Sequence, residues 1–407
     1  MQELFSDEKT EKVARKLLDE NSLCDKCINR LFYKKDEKSV EEKGKLIRNH
    51  FNKKEVKTED CSLCNGLLNE IDFFVKLILD KLKDYEFETF LVGCKIDEEI
   101  LEKEKELTSL IGFEKPDLLK NEINRGVGKK LEERLGKLVS FEKPTIMVIL
   151  DTQFDFVDLQ IASLFIYGRY NKYSREIPQT RWFCKICRGK GCRKCNYSGK
   201  IYDTSVQELV SNIFLQKTKA DDESFHGAGR EDVDVKMLGT GRPFVIEIKN
   251  PKQRSIDLQK IEKKINQKNK GLIGVSKLRF SERSEVARIK NAKFSKVYKV
   301  EFKCGKQLNN EKLLKVISSL QDTKIGQETP SRVAHRRADM VREKHIYTCQ
   351  IQSVDGSIAT LTLETESGTY IKELVSGDDG RTKPSISELI GSPCKVTKLD
   401  VIEIKGE

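Results

Sequence analysis

Residues 225–252, FHGAGREDVDVKMLGTGRPFVIEIKNPK, form the stretch around which this chain is organised. The small residues at 227–229 permit a sharp backbone turn that can approach a ligand closely. Residues 232–237 then alternate charged with apolar side chains, which predicts a half-buried strand. Gly-Thr-Gly at 239–241 predicts a reversal into a second strand. We therefore expect a hairpin that begins with an acid-rich loop.

Two sets of carboxylates in this stretch suggest different chemistry. Asp234 stands thirteen residues before Glu247, and Lys249 follows it. An aspartate on one strand and Glu-x-Lys on the next is an arrangement that metal-dependent nucleases use to hold a divalent ion and a water. In the second set, Asp232 follows Arg230 where a loop becomes a strand, a rigid way to present one carboxylate to a substrate. A solvated hairpin without chemistry is the third interpretation.

The overall charge favours a polyanionic partner. The 407 residues include 76 Lys and Arg against 65 Asp and Glu, a formal net charge of +11. Such an excess suits nucleic acid, although a solvated Lys/Glu-rich surface accounts for most of the charged residues. The length predicts two or three domains. Since neither a long apolar run nor a signal-peptide layout is present, we expect a cytoplasmic protein that does not bind membranes.

The twelve cysteines predict metal sites more readily than disulfides in a cytoplasmic protein. Eight of them form Cys-x-x-Cys pairs, each of which places two thiolates on one tetrahedral face. The predicted structural zinc ligands are Cys24, Cys27, Cys61 and Cys64 in one cluster, and Cys184, Cys187, Cys192 and Cys195 in another. Only four residues separate the two pairs of the second cluster, which is short for one tetrahedral site. The other four cysteines, Cys94, Cys304, Cys349 and Cys394, are predicted to be buried as small apolar side chains.

The periodicity of the rest of the chain predicts an α+β fold. Residues 67–82 and 205–214 have helical spacing, and residues 145–150 form an apolar strand. Residues 249–270 carry eight Lys and Arg against two acids on a predicted helix, which can lie along phosphates or face water. Asp-Gly at 355–356, between two alternating segments, predicts a β-hairpin.

Four short motifs resemble those of pseudouridine synthases and occur in that family's order. Gly229-Arg230-Glu231-Asp232 resembles the loop that carries the indispensable aspartate, and residues 297–300, VYKV, resemble the tyrosine strand. Residues 368–374, GTYIKEL, and the segment at 384–389 resemble the two later motifs. With the N-terminal cysteine pairs and residues 169–180, RYNKYSREIPQT, the chain resembles the archaeal and eukaryotic tRNA pseudouridine synthases of the TΨC arm.

This resemblance implies a fold and a function. The expected parts are a zinc-binding module at 1–66, a THUMP-like α/β RNA-binding domain at 67–183 and a catalytic domain at 184–407, which has a central mixed, mainly antiparallel sheet. The expected reaction is isomerisation of uridine 54, uridine 55 or both in tRNA, without a catalytic cofactor and with zinc in a structural role. The second cysteine cluster resembles an archaeal feature.

The resemblance also assigns residues to roles. Asp232 is the expected catalytic carboxylate, acting as a nucleophile at C1′ or as a base at C2′. Lys372 is the expected cation that favours its ionised form, and Arg230 is the second candidate. Tyr298 is expected to stack on the uracil, Tyr370 to line the pocket and Leu389 to cover the ring.

A group of basic residues is expected to contact tRNA phosphates. Its members are Arg332, His335, Arg336 and Arg337. The alternatives to an isomerase are the metal-dependent nuclease built on Asp234, Glu247 and Lys249, and a THUMP-bearing RNA-binding protein without activity. The presence of Asp232 argues against the inactive protein.

Overall fold

The computed structural model describes residues 8–32, 40–111, 116–336 and 338–406. The chain divides into two compact units, Met1–Ala162 and Ser163–Glu407. In these described ranges, every helix is too short or too polar to cross a membrane.

The sequence division into three parts stays a prediction, since the structure separates only two units. The expected zinc-binding module and most of the expected THUMP-like domain fall together in the first unit. Residues 163–183, which the sequence assigned to the THUMP-like domain, lie in the second unit.

The first unit joins a helical N-terminal region to a four-stranded sheet. Its described helices are α1 (Glu8–Glu20), α2 (Asp25–Leu31), α3 (Val40–His50), α4 (Ile71–Leu82), α5 (Glu98–Ile111) and α6 (Leu119–Leu135). Its strands are β1 (Thr89–Lys95), β2 (Leu138–Val139), β3 (Ile146–Asp151) and β4 (Phe156–Ile161), in the order β2-β1-β3-β4. Strand β1 is parallel to both neighbours, and β4 is antiparallel to β3.

The core of this unit follows from the apolar spacing of its elements. Along β3, Ile146, Val148 and Leu150 are fully buried and alternate with partly exposed residues. Helix α4 contributes Phe74 and Ile78, one turn apart on one face, to the same core. The predicted apolar strand is confirmed, and the helix predicted over 67–82 is confirmed from Ile71 onward, with a separate 3-10 helix at Leu67–Asn69.

The second unit is built on a ten-stranded sheet. Its strands are β5 (Leu164–Lys172), β6 (Asp222–Gly227), β7 (Lys236–Lys249), β8 (Ile273–Ser281), β9 (Lys296–Cys304), β10 (Thr323–Gln327), β11 (Arg342–Asp355), β12 (Ile358–Thr365), β13 (Thr382–Lys383) and β14 (Cys394–Ile404). The order is β13-β10-β11-β12-β9-β14-β7-β5-β8, and β6 pairs with β7. Only the β14–β7 pair is parallel among the described strands of this sheet, which confirms a mixed, mainly antiparallel sheet.

Six described helices accompany this sheet. They are α7 (Val206–Thr218), α8 (Leu258–Lys268), α9 (Arg283–Asn291), α10 (Asn310–Leu320), α11 (Ile371–Ser376) and α12 (Ile386–Ile390). The basic helix predicted within 249–270 is α8, which buries Ile261 and Ile265. Its lysines at 260, 263, 264 and 268 are exposed, so the outer face of α8 is positively charged. The hairpin predicted at Asp355-Gly356 is confirmed by the pairing of β11 with β12.

The expected reversal at residues 239–241 is wrong. Strand β7 continues through this segment, where it advances by five positions, from Met237 to Arg242, while β5 advances by only two, from Lys172 to Tyr170. The segment is a bulge that needs glycine, because a Cβ on Gly239 would stand 1.8 Å from the carbonyl oxygen of Ile402. The expected strand at 232–235 is a turn that leads into β7.

The expectation for two single cysteines is also wrong. Cys304 and Cys394 form a disulfide, whereas Cys94 and Cys349 are buried and unbonded as expected. The bond joins residues that are direct partners on the antiparallel strands β9 and β14, with Cα atoms 4.0 Å apart. Because 90 residues separate the two cysteines, the sequence alone does not show that they are neighbours.

Candidate active site and metal-binding clusters

A cavity of about 690 Å³ opens in the second unit. Its walls come from the loop before β7, the start of β9, the 3-10 helix Ser331–Arg336 and the start of α11. The lining includes Asp232, Lys296, Tyr298, Arg332, Tyr370 and Lys372. Three of the four motifs singled out in the sequence thus meet at one cavity.

Asp232 is held between two cations at this cavity. Arg332 Nη1 donates to both carboxylate oxygens, at 3.1 Å to Oδ1 and 2.9 Å to Oδ2. Lys372 Nζ lies 3.2 Å from Oδ2 of Asp232 and 2.8 Å from both oxygens of Asp234. Arg332 is fixed in turn because its Nε donates to Glu373 Oε1 at 2.6 Å.

These cations set the ionisation of the site. Burial of the Asp232 carboxyl by itself raises its pKa, but the charges of Arg332 and Lys372 outweigh burial, so that the pKa lies below its usual value. Asp232 is therefore a carboxylate at neutral pH. Its side chain is 35% exposed, which leaves it accessible to a ligand in the cavity.

The preceding residue, Glu231, points into the protein. Its side chain is 1% exposed, and its Oε2 lies 2.8 Å from Nε of the equally buried Arg242. The hydroxyl of Tyr170 donates to both Glu231 oxygens at 2.8 and 2.9 Å, and Gln179 Nε2 donates to that hydroxyl at 2.7 Å. Tyr170 and Gln179 belong to the RYNKYSREIPQT segment. This segment therefore stabilises the loop that carries Glu231 and Asp232.

A buried lysine fixes the backbone of the same loop. Lys172 is fully buried and its Nζ donates to the carbonyl oxygens of Ile177, Asp232 and Val233 at 3.0, 3.2 and 2.7 Å. Burial lowers the pKa of Lys172 to about 8, and the nearby Glu231 opposes this shift. The three carbonyl contacts hold the Asp232 main chain in one conformation.

The two predicted tyrosines also lie at the cavity. Tyr298 is 8% exposed on β9, and burial raises its pKa to about 12 against the opposing charge of Arg242. Its phenol is therefore neutral and presents an apolar ring. Tyr370 precedes α11, where Gln327 accepts from its backbone N–H at 2.9 Å and donates to its carbonyl oxygen at 3.0 Å.

Arg230 lines the cavity but is not one of the two cations on Asp232, and Leu389 is not part of the cavity lining. Arg230 donates to Thr180 Oγ1 at 2.7 Å, and the second cation on Asp232 is Arg332. Leu389 lies on α12 and packs against the core, while the apolar wall of the cavity includes Leu399 and Val401 of β14.

The remaining predicted phosphate contacts follow Arg332 in the chain. His335 and Arg336 lie in the same 3-10 helix, and Arg337 lies outside the described residues. In the sequence, Arg332 stands out only as a member of a cluster of cations, and that pattern suggested phosphate contacts. Its ion pair with Asp232 could not be predicted, because the two residues are 100 positions apart.

The residues of the nuclease alternative do not meet. Met237 is opposite Lys172 and Glu247 is opposite Phe165, so about 23 Å of strand separates the two ends of β7. Glu247 pairs with His226 at 3.2 Å, Lys249 pairs with Asp222, and Asp234 pairs with Lys372. This arrangement cannot place one divalent ion between Asp234 and Glu247.

Both predicted cysteine clusters converge. Within each, the four sulfur atoms lie within 4.8 Å of one another, and these are the two clusters of possible metal ligands in the described part of the chain. A tetrahedral zinc site has sulfur atoms about 3.8 Å apart. The measured distances agree: 3.9 Å for Cys24–Cys64 and 3.9 Å for Cys184–Cys192. The short spacing of the second cluster is therefore no obstacle to a four-thiolate site.

The two clusters differ in their surroundings. All four residues of the first are buried, and the fully buried Arg30 contacts Cys27 Sγ at 3.5 Å while pairing with Glu104 at 2.5 Å. In the second, three of the four cysteines are partly exposed. Backbone N–H groups of Gly191 and Gly199 donate to its sulfurs at 3.2 and 3.3 Å, as expected where a knuckle stabilises thiolates.

Comparisons with known proteins cover nearly the whole chain. The family model described as "Pus10, C-terminal" matches residues 165–405, and the one described as "Pus10 THUMP domain, archaeal" matches residues 74–151. The tRNA pseudouridine synthase Pus10 of Methanocaldococcus jannaschii is 42% identical over 352 residues, which are 86% of this chain and 76% of that protein.

Two further relatives carry the same name. The Methanopyrus kandleri protein is 40% identical over 355 residues, covering 86% of this chain and 81% of its own. The Halorubrum lacusprofundi protein is 36% identical over 410 residues, covering 97% of this chain and 96% of its own. The resemblance found in the sequence is confirmed, and the chain belongs to the Pus10 family of tRNA pseudouridine synthases.

Proposed function

We propose that this protein is an isomerase that converts uridine in the TΨC arm of tRNA, at position 54, 55 or both, to pseudouridine. One observation carries the proposal above the others. In a chain of this family, an ionised and accessible Asp232 stands between Arg332 and Lys372 at a cavity whose wall includes Tyr298.

The main group that the reaction requires from the protein is an ionised carboxylate near C1′ of the uridine. The N1–C1′ bond must break, the uracil must turn, and C5 must bond to C1′, with the C5 proton moving to N1. Asp232 serves this sequence either by attacking C1′ or by taking a proton from C2′. Both routes require the ionised carboxylate that Arg332 and Lys372 favour.

The cavity suits a nucleotide taken out of its base stack. About 690 Å³ lies within the roughly 300–1,000 Å³ range of small-ligand sites. Extracting a nucleotide costs a few kcal/mol, which stacking in the pocket offsets. We assign that stacking to Tyr298, with Tyr370 beside it and Leu399 as the apolar cover. Leu389 would then support the core behind the site.

Binding of the rest of the tRNA is assigned to the basic surfaces. The exposed lysines of α8 form one such surface, and the THUMP domain of the first unit provides another candidate contact. Arg230 is exposed beside the cavity, and we assign to it a contact with the backbone of the target strand. His335, Arg336 and Arg337 stay predicted phosphate contacts. These contacts predict an affinity that falls steeply as salt rises.

Zinc is proposed as a structural ion in both clusters. Four thiolates at tetrahedral separations would hold it and leave no position for substrate. Two zinc ions per chain are the expected content, and Cys187→Ser is expected to reduce it to one. Eight unbonded cysteines in two clusters suit a reducing compartment and support a cytoplasmic location, whereas the Cys304–Cys394 disulfide is uncommon in one.

The test is incubation with unmodified tRNA transcript, with EDTA or with magnesium, followed by mapping of pseudouridine and of strand breaks. The proposal predicts pseudouridine at 54, 55 or both under each condition, with intact RNA. Cleavage that requires magnesium would support the nuclease alternative instead. Tight binding without either product would support an inactive RNA-binding protein.

A further inference from the structure

A lysine that the sequence motifs did not single out lies inside the candidate active site. Lys296 begins β9, two residues before Tyr298, so both side chains project from the same face of the strand. Both line the cavity, and the Lys296 ammonium lies 3.7 Å from the Cβ position of Gly229 in the Asp232 loop.

Lys296 differs from three other cations of the cavity wall, which are paired with acids. Arg242 is paired with Glu231, while Arg332 and Lys372 are paired with Asp232. Among the described residues, no hydrogen bond or ion pair satisfies Lys296, although its side chain is half-buried. A half-buried ammonium without a partner is costly unless a ligand supplies one.

The charges around Lys296 are consistent with a position at which its ammonium group binds a ligand. Burial, together with the charges of Arg242 and Lys344, lowers the pKa of Lys296 to about 8, and Glu231 opposes the shift. The strand partners of Lys296, Thr365 on β12 and Ile404 on β14, carry no charge. The amine thus stays mostly protonated at neutral pH and gains from any electron-rich neighbour.

We propose that Lys296 Nζ donates a hydrogen bond to a carbonyl oxygen of the flipped uracil and stabilises the ring anion released during the reaction. This inference rests on the proposed function. When the N1–C1′ bond breaks, its electron pair stays with the ring and spreads over N1 and the two carbonyl oxygens. A fixed cation at one of these oxygens stabilises that charge as it forms.

The remaining steps balance without any added reactant. C1′ is held by the Asp232 carboxylate in one route, or has become part of a C1′–C2′ double bond in the other. After the ring turns, C5 bonds to C1′. In the first route the C1′–O bond to Asp232 breaks and frees the carboxylate, and in the second Asp232 returns the proton to C2′. The ring then loses its C5 proton and gains one on N1. Lys296 keeps its own proton throughout and acts only as a donor.

The position of Lys296 favours the base over the backbone phosphate. It stands on the strand that carries the buried Tyr298, whereas the exposed cations of the cavity, Arg230 and Lys290, are better placed for phosphates. A cation on the base should change the rate of the bound complex. A cation on phosphate should change tRNA affinity and its salt dependence.

The first experiment compares Lys296→Met with wild type in single-turnover reactions at saturating tRNA. Loss of one such donor is expected to slow the reaction about 100-fold, with the Kd for tRNA changed by less than about twofold. The matched control is Lys299→Met, an exposed lysine of the same strand on the opposite face, which should leave the rate unchanged.

The second experiment uses the pH dependence of kcat/KM, which reports groups of the free enzyme. For wild type, kcat/KM should fall as pH rises through about 8, because the neutral amine is a poorer donor. Lys296→Arg retains its charge at these pH values, so the decline should be smaller than in wild type. Any decline that remains is assigned to Lys172, whose pKa is also about 8. This comparison decides the matter even if Lys296→Met fails to fold.

Three results would overturn the inference. They are an unchanged rate in Lys296→Met, a weakened affinity with a normal rate at saturation, and an identical alkaline decline in wild type and Lys296→Arg. Failure of the proposed function itself looks different, since wild type would then form no pseudouridine at all.

Discussion

Glu231 and Asp232 are adjacent carboxylates with opposite surroundings. Glu231 is 1% exposed and is held by Arg242 and Tyr170, whereas Asp232 is 35% exposed and faces the cavity. The first carboxylate holds the loop in place, and the second is available to a substrate. The environment of an acid, more than its place in a motif, therefore separates a structural role from a chemical one.

The largest expected effect comes from removing the buried acid. Glu231→Ala leaves Arg242 charged and without its partner inside the protein, which should lower the free energy of unfolding by about 3–5 kcal/mol. Urea unfolding of both variants measures this. The matched truncation Asp232→Ala should cost less than about 1 kcal/mol, because its ion pairs are partly solvated. Equal losses in the two variants would show that the two carboxylates contribute equally to stability, contrary to their different burial.

A second prediction concerns the effect of the Arg332 charge on the pKa of Asp232. The ionised form of Asp232 is favoured by Arg332, so activity should be present above the pKa of Asp232 and lost as pH falls through it. Arg332→Gln removes that charge, raises the pKa and should move the acid limb of the pH–kcat/KM profile to higher pH. The variant should therefore be slower relative to wild type at pH 5 than it is at pH 7.5. A limb that does not move would show that Arg332 leaves the ionisation of Asp232 unchanged.

The smallest expected effect concerns the apolar cover of the cavity. Leu399→Ala shortens a residue of the cavity wall, whereas Leu389→Ala removes a partly buried contact with the core. Leu399→Ala should slow the single-turnover rate several-fold and also lower the stability, because Leu399 is 7% exposed and packs in the core. Leu389→Ala should leave the rate nearly unchanged and lower the melting temperature by a few degrees. The reverse result would restore the role that the sequence suggested for Leu389.

Much of the candidate site could be predicted because its motifs are local. Asp232, Tyr298, Tyr370 and Lys372 each stand in a short recognisable segment, and the structure brings all four to one cavity. The cysteine pairs were equally visible, since a Cys-x-x-Cys knuckle is a property of four neighbouring residues.

The rest depends on contacts between distant segments or on ambiguous local signals. Arg332 reaches Asp232 across 100 residues, and Cys304 reaches Cys394 across 90. Gly239 and Gly241 fit a turn and a bulge equally well, so only the pairing of β7 with β5 distinguishes them. Lys296 belongs to none of the recognised motifs, and the role proposed for it follows from its position in the cavity wall.

The most direct test of the central claim is pseudouridine formation by Asp232→Asn, measured in single turnover beside its affinity for tRNA. The substitution keeps the shape of the side chain and removes its charge. The account predicts a rate reduced more than about a thousandfold, with the Kd for tRNA within about twofold of wild type. A rate within tenfold of wild type would contradict the assignment of Asp232 as the reacting carboxylate.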